Sequence, residues 1–244
     1  FSLRSNRLWE LNSAATTAGD SVAGDLGHVV GRPVIAPVKN TNGTVSWKAI
    51  FGNGYNSASG LAVLFVVDIE TGAVRRLRAA ETGNAIAGSN GLGNVVVLDR
   101  WGTALGGAAN NLSGTFGDGF ADTVYAADQK GAVWKFDLRS PDNTVSATQT
   151  TPFFTTATAV ESGSTYRQPI TGGLLAAAGP AGSVMLYFGT GSFSFRGDSS
   201  DRSAQALYAV MDPSRALPTT PITSSNLSTR SVMADVAGVR RLTG

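Results

Sequence analysis

Val124–Leu138 reads VYAADQKGAVWKFDL. Apolar side chains alternate on both sides of a turn that opens on Asp128 and closes on Gly131. An aspartate at the first turn position accepts backbone N–H bonds, and a glycine at its end supplies the positive φ that closes the turn. The stretch reads as a β-hairpin. Trp134 and Phe136 alternate with Val133 and Lys135, the period of two that turns the aromatic pair toward a packed neighbour. Leu64–Leu77, LFVVDIETGAVRRL, repeats the form with Asp68 and Gly72 in the same places, and Leu207–Leu217, LYAVMDPSRAL, is a looser copy with Pro213 in its turn. A lone hairpin cannot bury both faces, so copies spaced by tens of residues predict stacked sheets, and a β-propeller is the natural candidate.

The rest of the chain agrees. Val45–Phe51, Asn94–Leu98 and Val184–Gly189 are further strand-like runs between clusters of Gly, Asn, Ser and Pro. No stretch keeps a 3.6-residue period for three turns, and Glu81–Leu92 is too rich in Gly and Asn for a long helix. The fold class is all-β, a propeller of antiparallel blades with quinoprotein-like repeats. Residues 1–244 are expected to form one propeller domain that is part of a larger ring, because an incomplete ring leaves sheet edges open. Polar stretches near 100–117, 140–151 and 218–231 exceed ordinary connection lengths and are expected to be insertions at blade tips.

Composition narrows the function classes. Charged residues make up 15% of the chain, against about 25% in an average soluble domain, which suits an exported or cell-surface bacterial β-protein. The net charge is +2. Arg75, Arg76 and Arg78, with Arg240 and Arg241, read as solvated strand-edge arginines; a broad basic face with interleaved aromatics, the mark of a nucleic-acid partner, is absent from the sequence. The chain has no cysteine, which excludes disulfides, thiolate metal sites and a cysteine nucleophile. No apolar run approaches the roughly 18 residues of a membrane span. Phe1 follows no signal peptide, and the chain is expected to be a mature or trimmed piece of something longer.

Chemistry-bearing motifs are few. His28 is the only histidine; Asp25 lies near it, but no nucleophile signature accompanies the pair. GNGYNSASG, GLGN and GTGSF precede no helix and read as hairpin turns rather than phosphate loops. Arg196-Gly197-Asp198 spells RGD in a polar loop. Gly114–Asp128, GTFGDGFADTVYAAD, sets Asp118 and Asp122 around a glycine turn. Against the contiguous calcium template D-x-[DN]-x-[DN]-G-x₅-E, Asp118 and Asp122 fit positions five and nine, but Gly114, Phe116 and Tyr125 fall where side-chain carboxylates are required. On the residues alone the aspartates read as Asx turns that cap backbone donors.

The blocks GRPVIA (Gly31–Ala36), AIFGNGYNS (Ala49–Ser57), LFVVDIETG (Leu64–Gly72), FADTVYAADQKGAVWKFDL (Phe120–Leu138), QPIT (Gln168–Thr171), LYFGTGSF (Leu186–Phe193) and ALYAVMD (Ala206–Asp212), in this order, resemble the C-terminal β-propeller of the PilC/PilY type IV pilus proteins. The resemblance implies a non-enzymatic protein of the outer membrane, cell surface or pilus tip. Its implied role is in pilus assembly and adhesion, and its implied partners are pilin or minor pilins and a host-surface receptor. It also implies a calcium loop split by an insertion over residues 100–116, with Asp99, Asp118 and Asp122 as ligands and the Phe120 carbonyl as a fourth. The calcium reading and the turn reading both stand at this point. In an adhesin, Arg196, Gly197 and Asp198 become a candidate adhesion motif. Two alternatives share the repeats: a pyrroloquinoline-quinone dehydrogenase propeller, whose vicinal cysteines are missing here, and an outer-membrane assembly scaffold.

Overall fold

The computed structural model describes residues 9–13, 22, 24–40, 43–80, 90–101, 117–139, 146–161, 164–193, 198–230, 232–234 and 240–242. Strands β1 (Val34–Lys39), β2 (Val45–Gly52), β3 (Val63–Asp68) and β4 (Val74–Ala79) form an antiparallel sheet in chain order. A second sheet begins with β5 (Leu92–Leu98), β6 (Thr123–Asp128) and β7 (Ala132–Asp137). The chain then leaves it: β8 (Ser146–Gln149) crosses back and pairs in parallel with β4. Strand β9 (Phe154–Thr155) returns beside β7. Strands β10 (Thr158–Glu161) and β11 (Ser164–Arg167) form a separate hairpin.

The third sheet holds β12 (Leu175–Ala178), β13 (Val184–Gly189) and β14 (Leu207–Asp212). Again the chain crosses back, and β15 (Ile222–Thr223) pairs in parallel with β9 of the second sheet. Strands β16 (Val232–Ala234) and β17 (Arg240–Leu242) pair with each other. The first two sheets thus each have five strands, and each is completed by chain that arrives later.

Alternation along the strands distributes the cores. On β3, Leu64 and Val66 join Val124, Ala126, Trp134 and Phe136 between the first and second sheets. Val63, Phe65 and Val67 point the other way, under Val22 and the partly buried Trp9, Leu11 and Leu26. On β6, Tyr125 and Ala127 face the third sheet and meet Phe154, Leu186, Phe188, Tyr208 and Val210. The second sheet is therefore covered on both sides. Phe154, Phe188 and Tyr208 pack as a cluster with centroids 5.0–5.6 Å apart, offset geometries that aromatic pairs favour.

Three expectations need correcting. Leu207–Leu217 does not form a hairpin: only β14 is a strand, and the following chain crosses to β9. The stretches near 140–151 and 218–231 are not simple tip insertions, since β8 and β15 within them complete neighbouring sheets. The arginines of β4 are not all solvated: Arg75 and Arg76 are buried, and Arg76 pairs with the buried Asp25. Arg78, at the same carboxylate, is one-third exposed. Burial and the neighbouring Arg78 lower the pKa of Arg76.

Candidate functional site

The acidic loop lies where β5 ends and β6 begins. Residue Asp99, just after β5, accepts the amide N–H of Asp118 at 3.1 Å and of Gly119 at 2.7 Å. Asp122, just before β6, accepts in return the amides of Arg100 (3.0 Å) and Trp101 (2.8 Å), with the Thr123 hydroxyl at 2.6 Å. Each side of the insertion thus holds the other through a carboxylate. Gly117 makes this possible. It has φ +48°, and a Cβ there would overlap the Asp99 carboxylate.

Asp118 accepts the Phe120 amide at 3.2 Å and lies 3.7 Å from the Lys39 ammonium, which sits over the Phe120 ring. On the far side, Arg139 stacks on Trp101 at 3.5 Å and pairs with Asp137. A small open cleft lies between these groups, lined by Lys39, Trp101, Asp118, Phe120, Asp122 and Arg139. Trp101 is half-buried beneath Arg139.

The structure brings Asp99, Asp118, Phe120 and Asp122, the ligands that the family resemblance implies, to one loop base, but not around one point. Asp99 and Asp122 spend their oxygens on N–H and O–H donors, and a lysine already faces Asp118. Among the described residues, no group of three acidic or histidine side chains is arranged to hold a metal ion. In this arrangement the residues do not fit a calcium cage, which needs about six to eight converging oxygens. Burial pushes the Asp122 carboxyl up to about 6, against the pull of its hydrogen bonds.

Sequence reasoning missed the most concentrated polar cluster. Asp212, at the end of β14, accepts Arg100 at 2.9 Å, Lys135 at 2.7 Å and the Tyr125 hydroxyl. All four side chains are buried. Arg100 also donates to the Ser214 carbonyl, and Lys135 to those of Ser214 and Ala216. Burial lowers the Lys135 pKa and raises that of Tyr125. The cluster explains the missing hairpin: two cations on the second sheet hold residues 212–216 across the interface, so the chain cannot fold back onto β14. The available signal was Lys135 within VWKFD, a cation on a strand that turns out to be covered on both faces.

Asn53, Asp128 and Gln168 are polar staples within the recognisable blocks. Asn53 donates to the Asp25 and Leu61 carbonyls and accepts the amides of Val63 and Leu92. Asp128, fully buried, accepts Trp134 Nε1, Asn90 Nδ2 and the amides of Lys130 and Ala132. Gln168 accepts the Tyr208 hydroxyl and donates to the Ala204 carbonyl. Asn53 thereby ties the first sheet to the second, Gln168 meets the third through Tyr208, and Asp128 fixes its own turn.

The remaining candidates separate. His28 is exposed and stacks on Tyr55, while Asp25 turns to Arg76 and Arg78. Arg196 and Gly197 lie outside the described residues, and the Asp198 carboxylate accepts the Ser192 hydroxyl at 2.6 Å.

The family described as the PilY1 beta-propeller domain matches residues 5–236. The chain belongs to the PilY1 β-propeller family. A type IV pilus biogenesis factor PilY1 homolog of Xylella fastidiosa is 37% identical over 228 residues, 85% of this chain and 13% of that protein. The PilY1 factor of Pseudomonas aeruginosa PAO1 is 31% identical over 131 residues, 54% of this chain and 9% of that protein. The crystal structure of the P. aeruginosa PilY1 C-terminal domain superposes with a TM-score of 0.60 at 24% identity, covering 91% of this chain and 47% of that one. The PilY1 match bears out the propeller reading, and the chain spans under half of that solved domain and a small part of the curated PilY1 proteins. Among the described residues no helix is long and apolar enough to cross a membrane.

Proposed function

We propose that this chain is a propeller segment of a surface-exposed, non-enzymatic type IV pilus factor that supports pilus assembly and adhesion, with pilin or minor pilins and a host-surface receptor as partners. Family membership over residues 5–236 carries the reading, supported by relatives named as type IV pilus biogenesis factors. The geometry agrees with a scaffold: the buried Asn53 and Asp212 clusters are spent on joining sheets. In-frame deletion of residues 1–244 from the natural polypeptide, with its level checked by immunoblot, tests the reading. Loss of surface pili and of adhesion is expected; normal piliation and adhesion at normal protein level would sink it.

Calorimetric titration of chelator-treated protein with calcium, beside Asp118→Ala, tests whether the acidic loop takes up the ion. No saturable heat is expected from either protein. Saturable heat that disappears in the variant would mean that the loop rearranges around an ion and that calcium control belongs to the function.

A further inference from the structure

The geometry points to a self-processing site, at which the Asp212–Pro213 peptide bond is exchanged for a side-chain amide between Asp212 and Lys135. The inference is independent of the pilus role. Of the nine prolines, only Pro213 follows an aspartate. An aspartyl-prolyl bond keeps a carboxylate within reach of its own carbonyl, and its nitrogen leaves as a basic secondary amine. Arg100 holds the two reacting groups together. Its Nη1 donates to Asp212 Oδ2 at 2.9 Å and its Nη2 to the Asp212 main-chain carbonyl at 3.2 Å. The carbonyls of the corresponding turn aspartates, Asp68 and Asp128, accept the amides of Gly72 and Gly131 instead. Asp212 Oδ1 accepts the Ser214 amide at 3.0 Å, which places it over the main chain just past the bond. Lys135 touches both sides of the bond: Nζ donates to Asp212 Oδ2 at 2.7 Å and to the Ser214 and Ala216 carbonyls. The Tyr125 hydroxyl also donates to Oδ2. Pro213 is exposed, so its nitrogen can depart into solvent.

The reaction balances within the site. Asp212 Oδ1 attacks the Asp212 carbonyl carbon, and charge builds on the carbonyl oxygen where Arg100 Nη2 already donates. The bond to Pro213 breaks as the Lys135 ammonium gives a proton to the departing nitrogen. A cyclic anhydride of Asp212 and a neutral Lys135 amine result. Burial, which lowers the Lys135 pKa, favours that neutral form, and a desolvated amine is a competent nucleophile. Lys135 Nζ then attacks Asp212 Cγ, frees the α-carboxylate and passes a proton to the Pro213 amine. An amide is lost and an amide is formed, so neither water nor a cofactor is consumed. The chain opens after Asp212, while the end of β14 becomes covalently joined to β7 of the second sheet.

The natural polypeptide that carries these residues is purified, incubated at neutral pH and followed by mass spectrometry. A fragment ending at Asp212 is expected, lighter by one water than simple hydrolysis would leave it, beside a fragment that begins at Pro213. Trypsin should release residues 131–139 joined to residues 203–212 through Lys135. The rate should not depend on protein concentration. The Pro213 ring makes none of the contacts that hold Asp212, so Pro213→Ala should fold like the parent and cleave at least about tenfold more slowly. Lys135→Met should yield only the hydrolysed fragment. A chain that stays intact, an equal rate in Pro213→Ala, or parent fragments without the Lys135 link would each overturn the proposal.

Discussion

Asp122, on the return side of the insertion, holds the outgoing Arg100 and Trp101 on two carboxylate oxygens that also accept the Thr123 hydroxyl. Asp122→Asn turns one acceptor into an NH₂ group facing N–H donors, so a buried donor goes unsatisfied at a cost of about 1–3 kcal/mol. A lower denaturation midpoint is the expected result. The pH dependence has a definite sign. The folded-state carboxyl is raised from 3.8 to about 6, so the folded chain binds this proton more tightly than the unfolded chain. The Asp122 contribution is complete below the unfolded value and is lost as pH rises through about 6. Asp68 has the opposite sign: burial acts upward, but the Thr71 amide and hydroxyl and Lys48 together hold its carboxyl below the ordinary value. Its contribution is present above the unfolded value and is lost as pH falls through the folded one. Denaturant midpoints across this range for the parent and Asp122→Asn separate the two, because only the first slope vanishes in the variant. The aspartates themselves were legible in the sequence as one loop. Their mutual hydrogen bonds were not, because those depend on how the intervening insertion brings Asp99 back against Gly117.

The Asp212 clasp sets how the elements connect. Asp212→Asn removes the carboxylate that Arg100 and Lys135 both contact among the described residues, leaving two buried cations without their contacting counter-charge, a loss of about 3–5 kcal/mol. Lys135→Met leaves the Arg100–Asp212 pair balanced and fills the same volume, so it should cost clearly less. Equal losses in thermal unfolding would show that charge balance does not govern the clasp. Gly131 gives a backbone counterpart: at φ +77° its missing Cβ lets the Gln168 carbonyl approach. Gly131→Ala should therefore destabilise through both strain and overlap. The aspartate-turn hairpins of the first two sheets were readable because Asp68 and Asp128 announce the turn and Gly72 and Gly131 close it. The third was misread because its turn aspartate is captured by cations from another sheet. Strands β9 and β15 span two residues each, too short for a period of two to register. Strand alternation with one wet face would put Lys135 in solvent, but the second sheet has no wet face.

At the scale of the whole chain, each sheet is stitched to the next in two ways. Side chains from both faces of the second sheet fill the cores on either side, and β8 and β15 carry later chain back to earlier sheets. Such an arrangement should open as one unit rather than blade by blade. Trp134, fully buried between the first and second sheets, provides the test. Trp134→Ala should cost about 3–5 kcal/mol by cavity formation. If the three sheets share one opening event, that loss appears as the same fall in hydrogen-exchange protection for core amides of β3, β6 and β13, although β13 lies one sheet away from the cavity. Unchanged protection in β13, with loss confined to β3 and β6, would show that the crossing strands tether the blades without coupling their stability. The shared fall is the expected outcome, because β14 is anchored to the second sheet by Asp212 and β15 by its pairing with β9, so the third sheet cannot keep its core once the second has opened.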